Sequence, residues 1–144
     1  MNNITIYQRR LGEIGRAEAA GTATLDGLTA SLGDSHLLTL GCAINVANVL
    51  ADADRHEEAE TLYRQTSARL HTVLDIPENS FGRNHPDLLA CQANLAVALH
   101  EMGRDEEAQQ ERAKTLTALT EARGRAHPDT IALAGWHRID HELD

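Results

Sequence analysis

Apolar side chains recur along most of the chain with the spacing of an α-helix rather than that of a β-strand. Two stretches show this best, and their apolar positions are Leu37, Leu40, Ile44, Ala47 and Leu50 in the first and Leu88, Leu89, Leu95, Ala96 and Leu99 in the second. A segment that begins with acidic residues follows each stretch, as the positive N-terminal end of a helix favours. The pattern predicts seven helices, at about residues 2–14, 16–31, 35–52, 55–74, 86–102, 104–122 and 128–142.

Two short motifs occur three times each along the chain. The first comprises Leu32-Gly33-Asp34-Ser35-His36, Phe81-Gly82-Arg83-Asn84-His85-Pro86 and Arg123-Gly124-Arg125-Ala126-His127-Pro128. The second comprises Gly15-Arg16-Ala17-Glu18-Ala19-Ala20, Asp54-Arg55-His56-Glu57-Glu58-Ala59 and Gly103-Arg104-Asp105-Glu106-Glu107-Ala108. In two units, 23 residues separate the histidine of the first motif from the last alanine of the second. This self-similarity predicts several copies of one helical unit, with the three histidines in structural positions at helix starts.

The composition agrees with an all-α fold. The chain holds 22 Ala and 19 Leu but only 4 Val and 7 Ile in 144 residues, which favours helices over sheets. A pair of helices cannot bury its apolar face alone, so stacked pairs must share one continuous core. The sequence therefore predicts a single α-solenoid domain, with repeat 1 at about 2–31, repeat 2 at about 35–75, an insertion at about 75–81, repeat 3 at about 86–122 and a C-terminal capping helix at about 128–142.

The repeated unit resembles the tetratricopeptide repeat, in the 42-residue variety of kinesin light chains. The small-residue pairs Ala47/Ala59 and Ala96/Ala108, the Gly103-Arg104 turn and the Leu/Phe-Gly-x-x-His-Pro junction carry the resemblance, which covers roughly residues 11–139. The same variety occurs in bacterial signalling ATPases of the STAND type and in proteins encoded beside ribosomally made, modified peptides. The resemblance implies a right-handed α-solenoid of about three and a half helix–turn–helix repeats. Asp54 departs from the pattern at a turn that usually has glycine, and Arg138 departs from it at a small-residue position.

Family resemblance also implies a concave groove, lined by the first helix of each pair, that holds a peptide. Carried over to this chain, the groove residues are Gly41, Ile44, Asn45, Asn48, Asp52, Ala90, Ala93, Asn94, Val97 and Glu101. Asn45 and Asn94 match asparagines that hydrogen-bond the main chain of a bound peptide in relatives, and an amide has the donors and the acceptor for this. The alternative is that both asparagines only cap neighbouring carbonyls. The single lysine, Lys114, lies on a second helix, which argues against a groove that clamps a terminal carboxylate.

Charge and candidate chemistry exclude several other functions. A formal net charge of -9 disfavours binding to nucleic acid or to an anionic membrane. His137 and His141 lie four residues apart, but a third metal ligand is missing from the pattern, so we predict no metal site. A catalytic triad and a glycine-rich phosphate loop are also missing from the sequence, and we expect no cofactor and no enzyme activity. The chain has no apolar run of membrane-spanning length, and a cytoplasmic location is expected.

Three further residues need a structural or functional explanation. Cys42 and Cys91 are 49 residues apart, the same offset as their repeats, and both are expected to be small buried residues. Trp136 is the only tryptophan, on the predicted last helix. It either closes the end of the solenoid core or is an exposed anchor in a partner interface, where tryptophan is enriched.

These observations favour a non-catalytic protein–protein interaction module that binds a peptide segment of a partner in the groove. The alternative is a homodimeric accessory or regulatory protein of a bacterial signalling or modified-peptide biosynthesis system, with self-association through the terminal helices. A metal-dependent enzyme built on His137 and His141 is a third, less favoured hypothesis.

Overall fold

The computed structural model describes residues 14–75 and 85–139, and within these ranges the chain forms six α-helices and no strand. The helices are α1 (Ile14–Leu32), α2 (Leu37–Asp52), α3 (His56–Leu74), α4 (Pro86–Glu101), α5 (Asp105–Arg123) and α6 (Pro128–Ala134). The predicted first helix lies outside the described residues except for its last position. The predicted insertion at about 75–81 also lies outside them, apart from Asp75.

Each helix packs against the next one along the chain, and α4 additionally contacts both α2 and α6. The pairs α2/α3 and α4/α5 are thus two successive helix–turn–helix units, with α2 and α4 side by side. α1 packs on α2 as the second helix of a preceding unit would, and α6 packs on α5 and α4 as the first helix of a following one. The predicted all-α solenoid is confirmed.

Alanines lie where the two helices of a unit approach each other most closely. Ala47, Ala59, Ala96 and Ala108 are all completely buried. A larger side chain at any of them would push the helices apart, at about 1–3 kcal/mol of overpacking strain. The apolar core runs across the units without interruption, because leucines of α2, α3 and α4 form one cluster and residues of α4, α5 and α6 form a second beside it.

The turn between the helices of each unit has the same hydrogen bonds. In the first unit, Asp54 N–H donates to Ala51 O and Arg55 N–H donates to Leu50 O at 2.9 Å. In the second unit Gly103 and Arg104 repeat both bonds, and this pair of bonds defines a Schellman motif. The motif needs a left-handed residue, which is Gly103 at φ 78° in one unit and Asp54 at φ 62° in the other.

Ion pairs connect successive units on the outer surface. The arginine that follows each turn contacts a glutamate of the preceding unit, so that Arg55 pairs with Glu18 and Arg104 pairs with Glu60 at 2.7 Å. Burial alone would raise the pKa of Glu60, but hydrogen bonds from Arg64 and Arg104 hold it below its ordinary value. The pairs occupy the same place in each unit, and they therefore fix the register between neighbouring units.

The last helix is shorter than predicted, because α6 ends at Ala134 instead of continuing to residue 142. Trp136 N–H donates to Leu133 O and His137 N–H donates to Ala132 O, which is again the Schellman pattern, with Trp136 left-handed at φ 60°. The turn comes 9 residues after His127, whereas the turns at Asp54 and Gly103 come 18 residues after their histidines. The chain therefore leaves the helix early, and Arg138 and Ile139 contact side chains of α2 and α4.

Two of the three repeated histidines have the structural role that their phase predicts. His36 and His127 are N-cap residues whose Nδ1 accepts the backbone N–H two residues later, each at 3.1 Å. His85 is the N-cap of α4 by its backbone conformation, but its side chain makes no capping bond. The difference has no explanation in the described contacts.

Substitution of Gly103 by alanine should destabilise the protein by about 1–2 kcal/mol, because a Cβ strains a left-handed residue. The open space around this position means that the cost is conformational only. Gly27, in the middle of α1 with equally open surroundings, is the matched control, and Gly27→Ala should stabilise by about 0.5–1 kcal/mol. Urea unfolding measures both changes, and two effects of the same sign would contradict the assigned backbone conformations.

Candidate functional site

The ten residues predicted to line the groove all lie on α2 and α4, in two sets related by the repeat. Eight of them are buried, namely Gly41, Ile44, Asn45, Asn48, Ala90, Ala93, Asn94 and Val97. The other two, Asp52 and Glu101, are the last residues of their helices and are more exposed. Ile44 belongs to the core between α2, α3 and α4, whereas Ala90, Ala93 and Val97 belong to the cluster that includes Ile139.

The centre of the site is a pair of hydrogen bonds between the Asn94 side chain and the main chain of Ile139. Ile139 N–H donates to Asn94 Oδ1 at 2.6 Å, and Asn94 Nδ2 donates to Ile139 O at 2.8 Å. Asn48 Nδ2 is 3.4 Å from the same carbonyl. One amide side chain thus satisfies both main-chain groups of one residue, as a neighbouring β-strand would.

A second layer of contacts orients the Asn94 amide. Its Nδ2 also donates to Asn48 Oδ1 at 3.0 Å, and the hydroxyl of the buried Tyr63, from α3, donates to the same oxygen. Because Ile139 N–H is a donor, the acceptor oxygen of Asn94 must face it, and the network is consistent throughout. The amide is therefore held in the orientation that the main chain of Ile139 needs.

Two carboxylates flank the site at the ends of α2 and α4. Asp52 and Glu101, which are 49 residues apart and thus equivalent in the repeat, both accept hydrogen bonds from the guanidinium of Arg138. The Arg138 side chain is only 12% exposed. Burial alone would lower the pKa of this group, but Tyr63, Asp52 and Glu101 raise it on balance, so Arg138 stays charged.

Trp136 is partly buried, and its ring packs beside the turn that precedes the site. Its ring stacks on His100 with centroids 4.1 Å apart, and the Arg112 guanidinium lies 4.5 Å from the ring centroid. Arg112 also donates to the carbonyls of Leu133 and Ala134 at the end of α6. The indole, partly buried against both core clusters, therefore holds the start of segment 136–139 in place.

The repeat equivalent of Asn94 is Asn45, and it has a different environment. Asn45 is 1% exposed, and neither its Nδ2 nor its Oδ1 has a hydrogen-bond partner within residues 14–75 and 85–139. A buried amide without partners costs free energy that a well-paired one does not. Asn45 thus caps no carbonyl within the described ranges, whereas Asn94 does donate to one, the carbonyl of Ile139.

Sequence reasoning missed Arg138, Ile139 and Tyr63 as members of this site. A signal was present for the first, because the repeat phase places Arg138 at the position of the fully buried Ala47 and Ala96, where arginine does not fit. Gly135, a weak helix former, is a second sign that the last helix ends early. Ile139 and Tyr63 have ordinary apolar and aromatic positions in the pattern, and nothing in the sequence marks them.

Candidate chemistry elsewhere in the described ranges is sparse. Among those residues, no three His, Cys, Asp or Glu side chains lie together in a way that could hold a metal ion. The ring of His137 lies beside Gly135 at the end of α6. His141, the other histidine of this pair, lies outside the described residues. Of the six helices, none is both long and apolar enough to cross a bilayer.

Both cysteines should be inert in the folded protein. Cys42 and Cys91 are completely buried, and burial, with a smaller contribution from Asp87, raises the pKa of the Cys91 thiol far above its ordinary value. The thiolate is the reactive form, so a disulfide reagent such as Ellman's should label neither cysteine in buffer and both in concentrated guanidinium chloride. Rapid labelling of either thiol in the native protein would contradict the buried positions.

The two equivalent asparagines should differ in their effect on stability. Asn45→Leu removes an unpartnered buried amide and should raise the free energy of unfolding by about 1 kcal/mol. Asn94→Leu leaves the buried N–H of Ile139 unpaired, and the Ile139 carbonyl keeps only the long contact with Asn48, so this substitution should lower it by about 1–3 kcal/mol. Urea unfolding of both variants tests this contrast, and equal effects of the two substitutions would show that the amides are in equivalent environments.

Comparison with known proteins agrees with the architecture. A search of curated proteins finds no match to the chain. The family model described as tetratricopeptide repeat matches residues 39–87 and 88–129, which together are well over half of the chain. The two matched segments correspond to the units formed by α2/α3 and α4/α5, together with the start of α6. Repeats of this kind generally mediate protein–protein interaction, and this chain, with its stacked helical pairs and buried alanines, belongs to the tetratricopeptide repeat family.

Proposed function

We propose that this protein is a non-catalytic interaction module that binds an extended peptide segment of a partner along α2 and α4. The observation that carries the proposal is the Asn94 amide, which pairs with both main-chain groups of Ile139 at 2.6 and 2.8 Å. A side chain that satisfies the N–H and C=O of a single residue suits an extended peptide of any sequence. Asn48 and Tyr63 hold the amide in the required orientation, so little ordering is needed on binding.

Asn45 supports a binding site that contacts more than one residue of the peptide. It lies one repeat before Asn94, and its buried amide has no hydrogen-bond partner in the described part of the chain. An unpartnered amide of this kind is expected where an incoming main chain supplies the missing donor and acceptor. A peptide that bonds Asn94 and Asn45 in turn would span two successive units of the solenoid.

The proposal extends to the class of repeat and to the cellular compartment. The matched segment 88–129 has the length of 42 residues that is typical of the kinesin-light-chain-like variety. The buried thiols of Cys42 and Cys91, which form no disulfide, suit the reducing conditions of a cytoplasm.

Selection from a displayed library of random peptides tests the proposal. Peptides that bind the wild-type protein should lose about tenfold or more of their affinity to Asn45→Ala, because a buried amide contact to the peptide main chain is removed. Asn45 makes no described contact with segment 136–139, so this loss reports on the incoming peptide alone. Fluorescence anisotropy of labelled peptides measures the affinities.

Gln110→Ala is the matched control, since it removes an exposed amide from α5, away from the concave face. It should leave peptide affinity unchanged, and circular dichroism should show equal helix content in all variants. Selected peptides that bind Asn45→Ala and Asn94→Ala as tightly as wild type would rule out the groove as the binding site.

A further inference from the structure

We propose that segment 136–139 occupies the groove as an internal ligand, and that the partner's segment shares its chemistry: an extended main chain with a basic residue followed directly by an aliphatic one. This inference rests on the proposed function and specifies the partner of the same site. The occupant is thus a protein segment with an Arg–Ile or similar pair. Three independent contacts of the internal segment define this requirement.

The main-chain contact sets the conformation of the occupant. Ile139 exchanges two hydrogen bonds with Asn94, which a residue within a helix could not do because its own N–H and C=O are used inside the helix. The chain therefore passes the site after α6 has ended. A partner's residue at this point must likewise have free main-chain groups.

The acidic contact sets the charge of the residue before it. Asp52 and Glu101 are the C-terminal residues of α2 and α4, where the helix dipoles add further negative potential. Arg138 reaches both carboxylates and is largely buried between them. His56 Nδ1 is also 3.9 Å from the Glu101 carboxylate. Arg138 thus places a cation against two carboxylates at the negative ends of two helices, and a basic residue of the partner fits the same place.

The apolar contact sets the next residue. The side chain of Ile139 is 5% exposed within the cluster formed by α4, α5 and α6. Its neighbours in this cluster include Leu89, Ala90, Ala93 and Val97, and the alanines leave the room that an aliphatic side chain fills. A charged or strongly polar residue in this place would be buried without a partner.

The internal segment lowers the affinity of the groove for any partner. It is tethered by the turn at Trp136, whose stacking on His100 and Arg112 holds it near the groove. Tethered ligands act at effective concentrations of about millimolar, so a partner must either bind more tightly or be present in excess. Weakening the internal contacts should therefore strengthen binding in trans.

A fluorescein-labelled peptide with the sequence of residues 135–140 (Gly-Trp-His-Arg-Ile-Asp) is the probe. We expect it to bind the double variant Arg138→Ala/Ile139→Ala about tenfold or more tightly than wild type, because the internal segment loses both of its side-chain contacts and competes less well. In the peptide, exchange of arginine for glutamate or of isoleucine for aspartate should abolish binding. Exchange of arginine for lysine should retain most of it.

A double-mutant comparison assigns the acidic contact. Asp52→Asn/Glu101→Gln, added to the double variant, should weaken the arginine peptide about tenfold. The same substitutions should not change the affinity of a peptide that has alanine in place of arginine, because that peptide has no cation to pair with the two carboxylates.

A measurement on the protein without groove substitutions covers the case in which the double variant does not fold. Trp136 is the only tryptophan, so its emission reports on the turn that tethers the segment. Saturating amounts of a tryptophan-free peptide, with leucine in place of tryptophan, should shift this emission to longer wavelength, and the glutamate-substituted peptide should not.

Two results would overturn the inference. One is a folded double variant that binds the peptide no better than wild type, or an emission that both peptides leave unchanged. The other is a concentration-dependent dimer of the wild type that Arg138→Ala dissociates in sedimentation, which would identify a second copy as the occupant. Library peptides that need Asn45 but lack a basic residue would preserve the proposed function while refuting this specificity, whereas no amide-dependent binding at all would refute both.

Discussion

Buried amide groups on α2 and α4 are the constraint on which the path of the chain after α6 depends. Stacking of α2 on α4 removes Asn48 and Asn94 from water, and each amide then needs donors and acceptors that neighbouring apolar side chains do not supply. Tyr63 and the two amides satisfy part of this need among themselves. The rest is satisfied only by a main chain outside a helix, which Ile139 provides. The early end of α6 and the position of Ile139 against α2 and α4 thus both follow from the need of these buried amides for hydrogen-bond partners.

Backbone hydrogen bonds, and not particular side chains, define the turns that end the helices. Asp54, Gly103 and Trp136 have little in common, yet all three are left-handed and end their helices with the same two bonds. Glycine adopts this conformation without strain, while the other two residues obtain compensation from neighbours. His56 is 3.6 Å from Asp54, and His100 and Arg112 enclose Trp136. The same motif can therefore end a full helix within a unit or a shortened one at the groove.

Most of the fold could be predicted from the sequence because its signals are local. The bounds of α1 to α5 agree with prediction to within two residues, since Pro86, the turn at Gly103 and the acidic first turns each act within a few positions of a helix end. The local signals at Gly135 and Arg138 indicate only that α6 ends early. The path of the chain after α6 could not be predicted, because it depends on the contact of Ile139 with Asn94, 45 residues away in sequence. The groove residues followed from family resemblance, but the occupant depends on tertiary structure alone.

The two equivalent asparagines have opposite effects on the stability of the fold. A unit that is copied carries its asparagine with it, but only one copy has a main chain beside it in the described structure, so Asn94 stabilises while Asn45 costs free energy. An apolar residue in place of Asn45 would stabilise the fold, because the Asn45 amide is buried and has no hydrogen-bond partner within the described ranges. Asp52 and Glu101 form a second pair of equivalent residues, but there both members bond the same group, the guanidinium of Arg138, so that one cation stabilises the ends of two helices.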